Sequence, residues 1–175
     1  MPPNEKEKPT LTEILTEARG FHQTFRTVTL ATSAADGQPH ASYAPYIEDG
    51  EGGFLIFISE LAAHTNHLLN DPRVSLIFIE EESGMKQAFA RKRLTYQGIA
   101  EEIPRTSDHF DGFLDQMSGR HGAIVDMLRT LTDFHLFRIT PQKATYVRGF
   151  GEAFTLEGPE LSGIHWIRLS GHMQR

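Results

Sequence analysis

Histidines, one basic triplet and one acid are the side chains in this sequence whose types and spacing could do chemistry. His64 and His67 lie three apart, so a helix would put both imidazoles on one face. Two such rings can begin a metal site, provided a further ligand converges from elsewhere. The plainer alternative is a polar helix face at a pocket rim, where His64 and Thr65 offer donors to an anion. Arg91-Lys92-Arg93 sits where a strand starts, and alternation would send Arg91 and Arg93 to one side and Lys92 to the other. Guanidinium forks suit phosphate or carboxylate, although a solvated strand end would look the same. His172 follows Gly171 close to the end of the sequence, behind Ile164, Trp166 and Ile167, which can dock a tail on something apolar. A docked tail could offer the His172 imidazole to a metal, and His165, seven residues earlier, is a second candidate. Asp133 opens the most strand-rich stretch of the chain.

Other chemistries are excluded by what is missing. Gly149 and Gly151 bracket Phe150 without the third glycine or the strand-to-helix context of a dinucleotide fingerprint. There is no Gly-x-Ser-x-Gly, His-Glu-x-x-His or phosphate-binding loop, which argues against a serine hydrolase or a zinc protease. No cysteine is present, so neither a disulfide framework nor a thiolate metal site exists. A formal charge of −6 argues against bulk affinity for nucleic acid. With 39% hydrophobic residues and no long apolar run, a soluble protein is expected. The charged N-terminus lacks a signal-peptide core, and cytoplasm is the expected location.

The elements that must position these residues read as short strands and a few helices. Residues 1–9 look like a mobile arm, and Thr10 or Thr12 can cap a helix to about Gly20, with Glu13 as capping-box partner. Strands follow at Thr27–Thr32 and His40–Ile47, joined by an Asp36-Gly37 turn, with Pro45 expected at an edge or bulge. Phe54–Ile58 is apolar throughout and belongs in an interior. A helix is expected over Glu60–Asn70, then strands at Val74–Ile79 and Leu94–Ile103, then two helices within Pro104–Leu131 broken near Ser118–Gly122. Asp133–Phe154 reads as a closing hairpin that turns at Thr140-Pro141-Gln142-Lys143, with a bend or bulge at Gly149–Gly151. Sequential strands joined by tight turns imply an antiparallel sheet, and closing it into a barrel removes its edges. The expected fold class is α+β, an antiparallel split β-barrel with flanking helices. Residues 1–160 would form the barrel domain, and 161–175 a ligand-bearing tail of the same domain.

Several stretches resemble the FMN-binding split-barrel superfamily, whose best-known member is pyridoxamine phosphate oxidase. They are Thr29-Leu30-Ala31-Thr32 with Asp36-Gly37-Gln38-Pro39, Ser59-Glu60-Leu61-Ala62-Ala63-His64-Thr65, and Asp71-Pro72-Arg73-Val74-Ser75-Leu76. Within it the sequence is similar to the haem-utilisation proteins of the HugZ/HutZ type. Here the resemblance lies in Ser42-Tyr43-Ala44-Pro45, the run Lys86 to Thr95, Asp133-Phe134-His135-Leu136-Phe137-Arg138, Gly149-Phe150-Gly151 and Gly171-His172.

The resemblance implies a homodimer that binds haem between its subunits and opens it oxidatively to a biliverdin-like product with release of iron, drawing on an electron donor. It implies His172 as axial iron ligand and Asp133, from the partner subunit, as the acid bonded to that ligand's other nitrogen. It also implies Arg93 as a basic residue of the haem pocket, pairing a propionate or steadying oxygen, with His64 near it; Arg91 and Lys92, from the charge of the triplet alone, are further candidate anchors for an anionic cofactor. A carboxylate behind an imidazole fixes its tautomer and strengthens it as a donor. Only three residues follow His172, leaving little chain to clamp it, and His165 could compete. Two rivals share the fold: a flavin enzyme holding FMN phosphate with Ser59, Thr65, Arg91 and Lys92, and a haem carrier or store without turnover.

Overall fold

The computed structural model describes residues 8–85 and 87–167. His172, the last residues of the expected tail and most of the expected N-terminal arm lie outside them. The first helix, α1 (Leu11–Phe21), starts where expected: Glu13 N–H donates to Thr10 Oγ1 at 3.3 Å and Thr10 N–H to the Glu13 carboxylate at 2.8 Å. That reciprocal cap satisfies two of the helix's orphan amides. Ile14 and Ala18 fall on the face turned to the core and are buried.

Six strands then close a barrel. β1 (Thr27–Ser33), β2 (Pro39–Glu48), β3 (Phe54–Ser59), β4 (Arg73–Ile79), β5 (Arg93–Ile103) and β6 (Phe134–Gly149) pair antiparallel in the order β3-β2-β1-β4-β5-β6, and β3 returns to β6 to shut the ring. β7 (Glu152–Glu157) and β8 (Gly163–Trp166) extend the sheet beyond the far half of β6. Helix α2 (Ala63–Asn70) follows β3 and begins three residues later than the sequence suggests. Helices α3 (Phe110–His121) and α4 (Ile124–Leu128) are separated by Gly122 at φ 93°, a conformation glycine adopts freely.

The unbroken apolar run of β3 has a physical cause. Phe54, Ile56 and Ile58 enter the barrel core, while Leu55 and Phe57 face a second core built with Phe110, Leu114, Met117 and Val125 of α3 and α4. Both faces of the strand are therefore dry, and alternation is lost. Each such leucine, isoleucine or phenylalanine contributes about 2 kcal/mol on burial.

The largest departure from the sequence reading is β6. Thr140–Lys143 does not turn the chain; the strand runs sixteen residues without a break. The reason lies across the ladder. β5 pairs along nearly all of β6, and a register shift at Gln97/Gly98 leaves Gln142 as the extra residue between Pro141 and Lys143. A proline that would end a flat strand is accommodated by this bulge. Gly98 makes it fit, because a Cβ there would lie 2.7 Å from the Thr140 carbonyl oxygen. The expected bulge at the far end is present, between Val147 and Gly149. Pro45 sits where β2 passes from pairing β1 to pairing β3. The tail docks as a strand: Trp166 lies 4.3 Å, centroid to centroid, from Phe154. No described helix is long and apolar enough to cross a membrane.

Candidate functional site

Asp133 stands at the entry to β6, and the end of β3 holds it twice. Ser59 Oγ donates to Asp133 Oδ2 at 2.7 Å, and Glu60 N–H donates to the Asp133 carbonyl at 2.9 Å. The Ser59↔Phe134 register at the last step of the β3–β6 ladder makes these contacts unavoidable. Asp133 is only half-buried, so its carboxylate is fixed in direction and open to a further donor.

Close by, α2 carries His64 and Thr65 into the interior. Thr65 Oγ1 donates to the Ser59 carbonyl at 2.6 Å and locks the turn after β3. His64 is buried with Nδ1 2.8 Å from Ser42 Oγ of β2. Burial first, then the nearness of His40 and His67, hold its pKa below the ordinary value, so it is a neutral ring near pH 7. His67 turns instead to Thr32 Oγ1 at 3.0 Å. The metal pair raised by the His64/His67 spacing is thus not formed: the two rings serve different hydroxyls, and among the described residues no three ligands converge.

The basic triplet sits where β5 begins, and most of its charge is already matched. Lys92 Nζ is 2.6 Å from the Glu17 carboxylate, which also accepts from Tyr146 Oη and Arg148 Nε, each at 2.8 Å. Partial burial works against the Glu17 anion, but these donors, Lys92 first and then Arg148 and Tyr146, carry its pKa down to about 2. Arg91 donates to the Glu80 carbonyl at 2.5 Å and lies 3.3 Å from Glu82. Strict alternation fails here because Arg91 and Lys92 precede the strand rather than belong to it. Arg93 differs. The only hydrogen bond of its guanidinium among the described residues is from Nη1 to the Arg91 carbonyl at 2.9 Å, which leaves most of the fork available.

Beside this cluster opens a hollow of about 510 Å³, lined by Glu80, Gln87, Lys92, Arg148, Gly149 and Phe150, among others. Phe150 at its rim is 80% exposed, and Phe89, in the adjoining turn, is 91% exposed. Cations next to bare aromatic rings are the donor set a flat, apolar dianion such as a porphyrin dicarboxylate would need. Arg148 and Phe150 were not named as site residues from the sequence; the glycines around Phe150 were the available signal, since Gly151 at φ 72° turns the chain tightly beside an exposed ring.

The candidates therefore fall into two groups. Arg93 pairs with Val147, whereas Asp133 precedes the first residue of β6, beyond the Ile103↔Leu136 pair. Measured along the strands, over about 30 Å lies between them. One chain does not bring Asp133 and Arg93 together. Sequence reasoning also passed over His135, whose imidazole bridges Glu60 and Glu102 on the same face as Asp133; spacing of two along a strand was the signal.

Residues 14–148 match the pyridoxamine 5'-phosphate oxidase family. The chain belongs to that family. Within it, the chain is 42% identical over 157 residues to the heme oxygenase HutZ of Vibrio cholerae, covering 89% of this chain and 88% of that one. A crystal structure of HutZ, described as a heme storage protein of the same organism, superposes with a TM-score of 0.67 at 40% identity, covering 77% of this chain and 92% of its own. Campylobacter jejuni ChuZ superposes with a TM-score of 0.83 at 29% identity over 97% of this chain and 68% of its own. The family's split-barrel fold is the one expected from the sequence.

Proposed function

We propose that this protein binds haem and opens it oxidatively, releasing iron and a biliverdin-like product. The observation that carries the reading is the 42% identity to HutZ over most of both chains. The geometry supports it in two ways. A half-buried carboxylate held by Ser59 is suited to accept the N–H of an axial imidazole, which we assign to His172, and so to strengthen that ring as an iron ligand. Arg93, whose fork is largely unengaged, suits a propionate, and the exposed Phe150 ring suits the macrocycle.

The distance along β5 and β6 argues that a haem served by both Asp133 and Arg93 draws them from two chains. A homodimer is the simplest source, and the outer face of the barrel suits one. Thr27, Thr29 and Ala31 of β1 and Ala41, Tyr43 and Pro45 of β2 are all exposed, a flat patch of short side chains around one tyrosine that is 69% exposed. The reaction consumes dioxygen and needs an electron donor, and we place it in the cytoplasm.

The flavin alternative is disfavoured by particular contacts. Ser59, Thr65, Arg91 and Lys92, the residues that would hold an FMN phosphate, are already engaged by Asp133, the Ser59 carbonyl, Glu80 and Glu17. Titration with hemin tests the reading: an intense Soret band should saturate at one haem per chain, then fade when oxygen and a reductant are supplied, with catalase present. A Soret band that persists under those conditions indicates storage. Yellow protein with bands in the blue and no Soret band indicates a flavin enzyme.

A further inference from the structure

His135 occupies an unusual position beside the Asp133 edge. Its Nδ1 lies 2.6 Å from Glu102 of β5 and its Nε2 lies 2.8 Å from Glu60 in the turn after β3. A neutral imidazole has one N–H and can satisfy only one of these carboxylates; the imidazolium satisfies both. Glu60 is also the residue whose amide donates to the Asp133 carbonyl, and it directly follows Ser59, whose hydroxyl holds the Asp133 carboxylate. The three contacts form one strap across the end of β3 and the start of β6.

We propose that His135 is a positioning residue: its imidazolium, gripping Glu60 and Glu102 at once, holds the Ser59–Glu60 turn and through it the direction of the Asp133 carboxylate. The proposal rests on the reading that Asp133 serves the haem ligand, and adds to it a proton-dependent support that touches neither haem nor its ligand.

The surroundings of His135 favour the charged ring. Partial burial works against it, but Glu102 and then Glu60 outweigh burial and raise its pKa above the ordinary histidine value. His135 and Glu102 line a small hollow with Phe110 and Phe134, and the other charged group lining it is Arg105, whose guanidinium is turned to the carbonyls of Arg129, Leu131 and Phe134. Asp133 at the strand's start is taken up by Ser59. Because the folded-state value is raised, the strap is complete at pH below the ordinary histidine range and is lost as pH rises through the folded value.

Two measurements on the full chain test this. The first needs no haem: the imidazole titration of His135 and the amide shift of Glu60 are followed by NMR against pH. They should move together, with a midpoint above about 6.5, and Glu102→Gln should bring the shared midpoint down by about one pH unit. A Glu60 amide indifferent to His135 overturns the proposal. The second is turnover per bound haem against pH. Wild-type turnover should fall through the same midpoint, His135→Lys should hold it level across that range, and His135→Gln should be several-fold low and level, all with unchanged haem affinity. A wild-type pH step retained in both variants overturns the strap while leaving the haem reading intact. Absence of turnover in every form, with the NMR coupling present, overturns the haem reading and leaves the strap standing.

Discussion

The two ends of the β5–β6 ladder use charge in opposite ways. At the Asp133 end, anions predominate, and they are held by one hydroxyl and one shared histidine: Ser59 for the Asp133 carboxylate, His135 for Glu60 and Glu102. At the Arg93 end, cations predominate, and carboxylates from the same chain match them: Glu17 takes Lys92 and Arg148, Glu152 takes Arg148 again, and Glu82 takes Arg91. A carboxylate held by neutral donors keeps its charge for a visitor. A cation already paired does not, which leaves Arg93 as the fork best able to meet a substrate carboxylate. On the proposed function, each end would supply half of an oxidative haem site, and two chains set end against opposite end would join the halves.

The most severe break in this picture is His172→Ala. Loss of the iron's proposed ligand should displace the Soret band, change the spin state and weaken haem binding by upwards of about a hundredfold, since losing an outer partner alone already costs about 10–100-fold in affinity or in activity. An unchanged spectrum removes His172 from the site.

Next in size is a complementation experiment aimed at the division between the ends. Asp133→Asn and Arg93→Ala homodimers should each bind haem yet degrade it slowly. Mixed by unfolding and refolding at equal amounts, half the dimers carry one of each chain. If the site takes Asp133 from one chain and Arg93 from the other, each mixed dimer regains one intact site, and total turnover recovers to about a quarter of wild type. Turnover no higher than the average of the two variants puts both residues in one subunit and ends the comparison.

Much of the barrel was legible because each strand carries its own turn chemistry. Asp36-Gly37 bends β1 into β2, Thr10 with Glu13 starts α1, and the run from Phe54 shows burial on both faces. The turn read at Thr140–Lys143 was wrong for a tertiary reason: Pro141 and Gln142 are absorbed by a bulge whose cause, Gly98, sits on another strand. The same limit applies to the site. Asp133 and His64 could be named from the sequence, but the partner of each, Ser59 or Ser42, is remote in it. Nothing local says that Lys92 is spoken for, because Glu17 lies seventy-five positions away on a helix.

That hidden pairing gives the third prediction. Glu17→Gln removes the anion shared by Lys92, Arg148 and Tyr146, leaving two cations short of a partner in a third-exposed setting. The expected cost is about 2 kcal/mol, seen as a lower denaturation midpoint. The sign of the pH effect is fixed by the depressed pKa. Glu17 stabilises the fold above its unfolded value and loses that contribution as pH falls toward about 2. Wild type should therefore shed stability over that acid range more steeply than the variant. Parallel curves would mean that the Arg93 end does not depend on this neutralisation.

The smallest expected effect sharpens the assignment of the iron ligand. His165 lies on β8 opposite Thr155, its side chain 66% exposed and its nearest charged neighbour, Glu157, 4.0 Å away. The strand is fixed by its ladder to β7 and by Trp166 against Phe154, neither of which uses the imidazole. His165→Ala should change stability by no more than about 0.5 kcal/mol and leave the haem spectrum as it was. It also controls for the first variant, since both remove one imidazole from the same tail. If His165→Ala moved the Soret band while His172→Ala did not, β8 would carry the ligand, and the haem would have to sit against the outer edge of the β7–β8 sheet instead of between the two ends of the β5–β6 ladder.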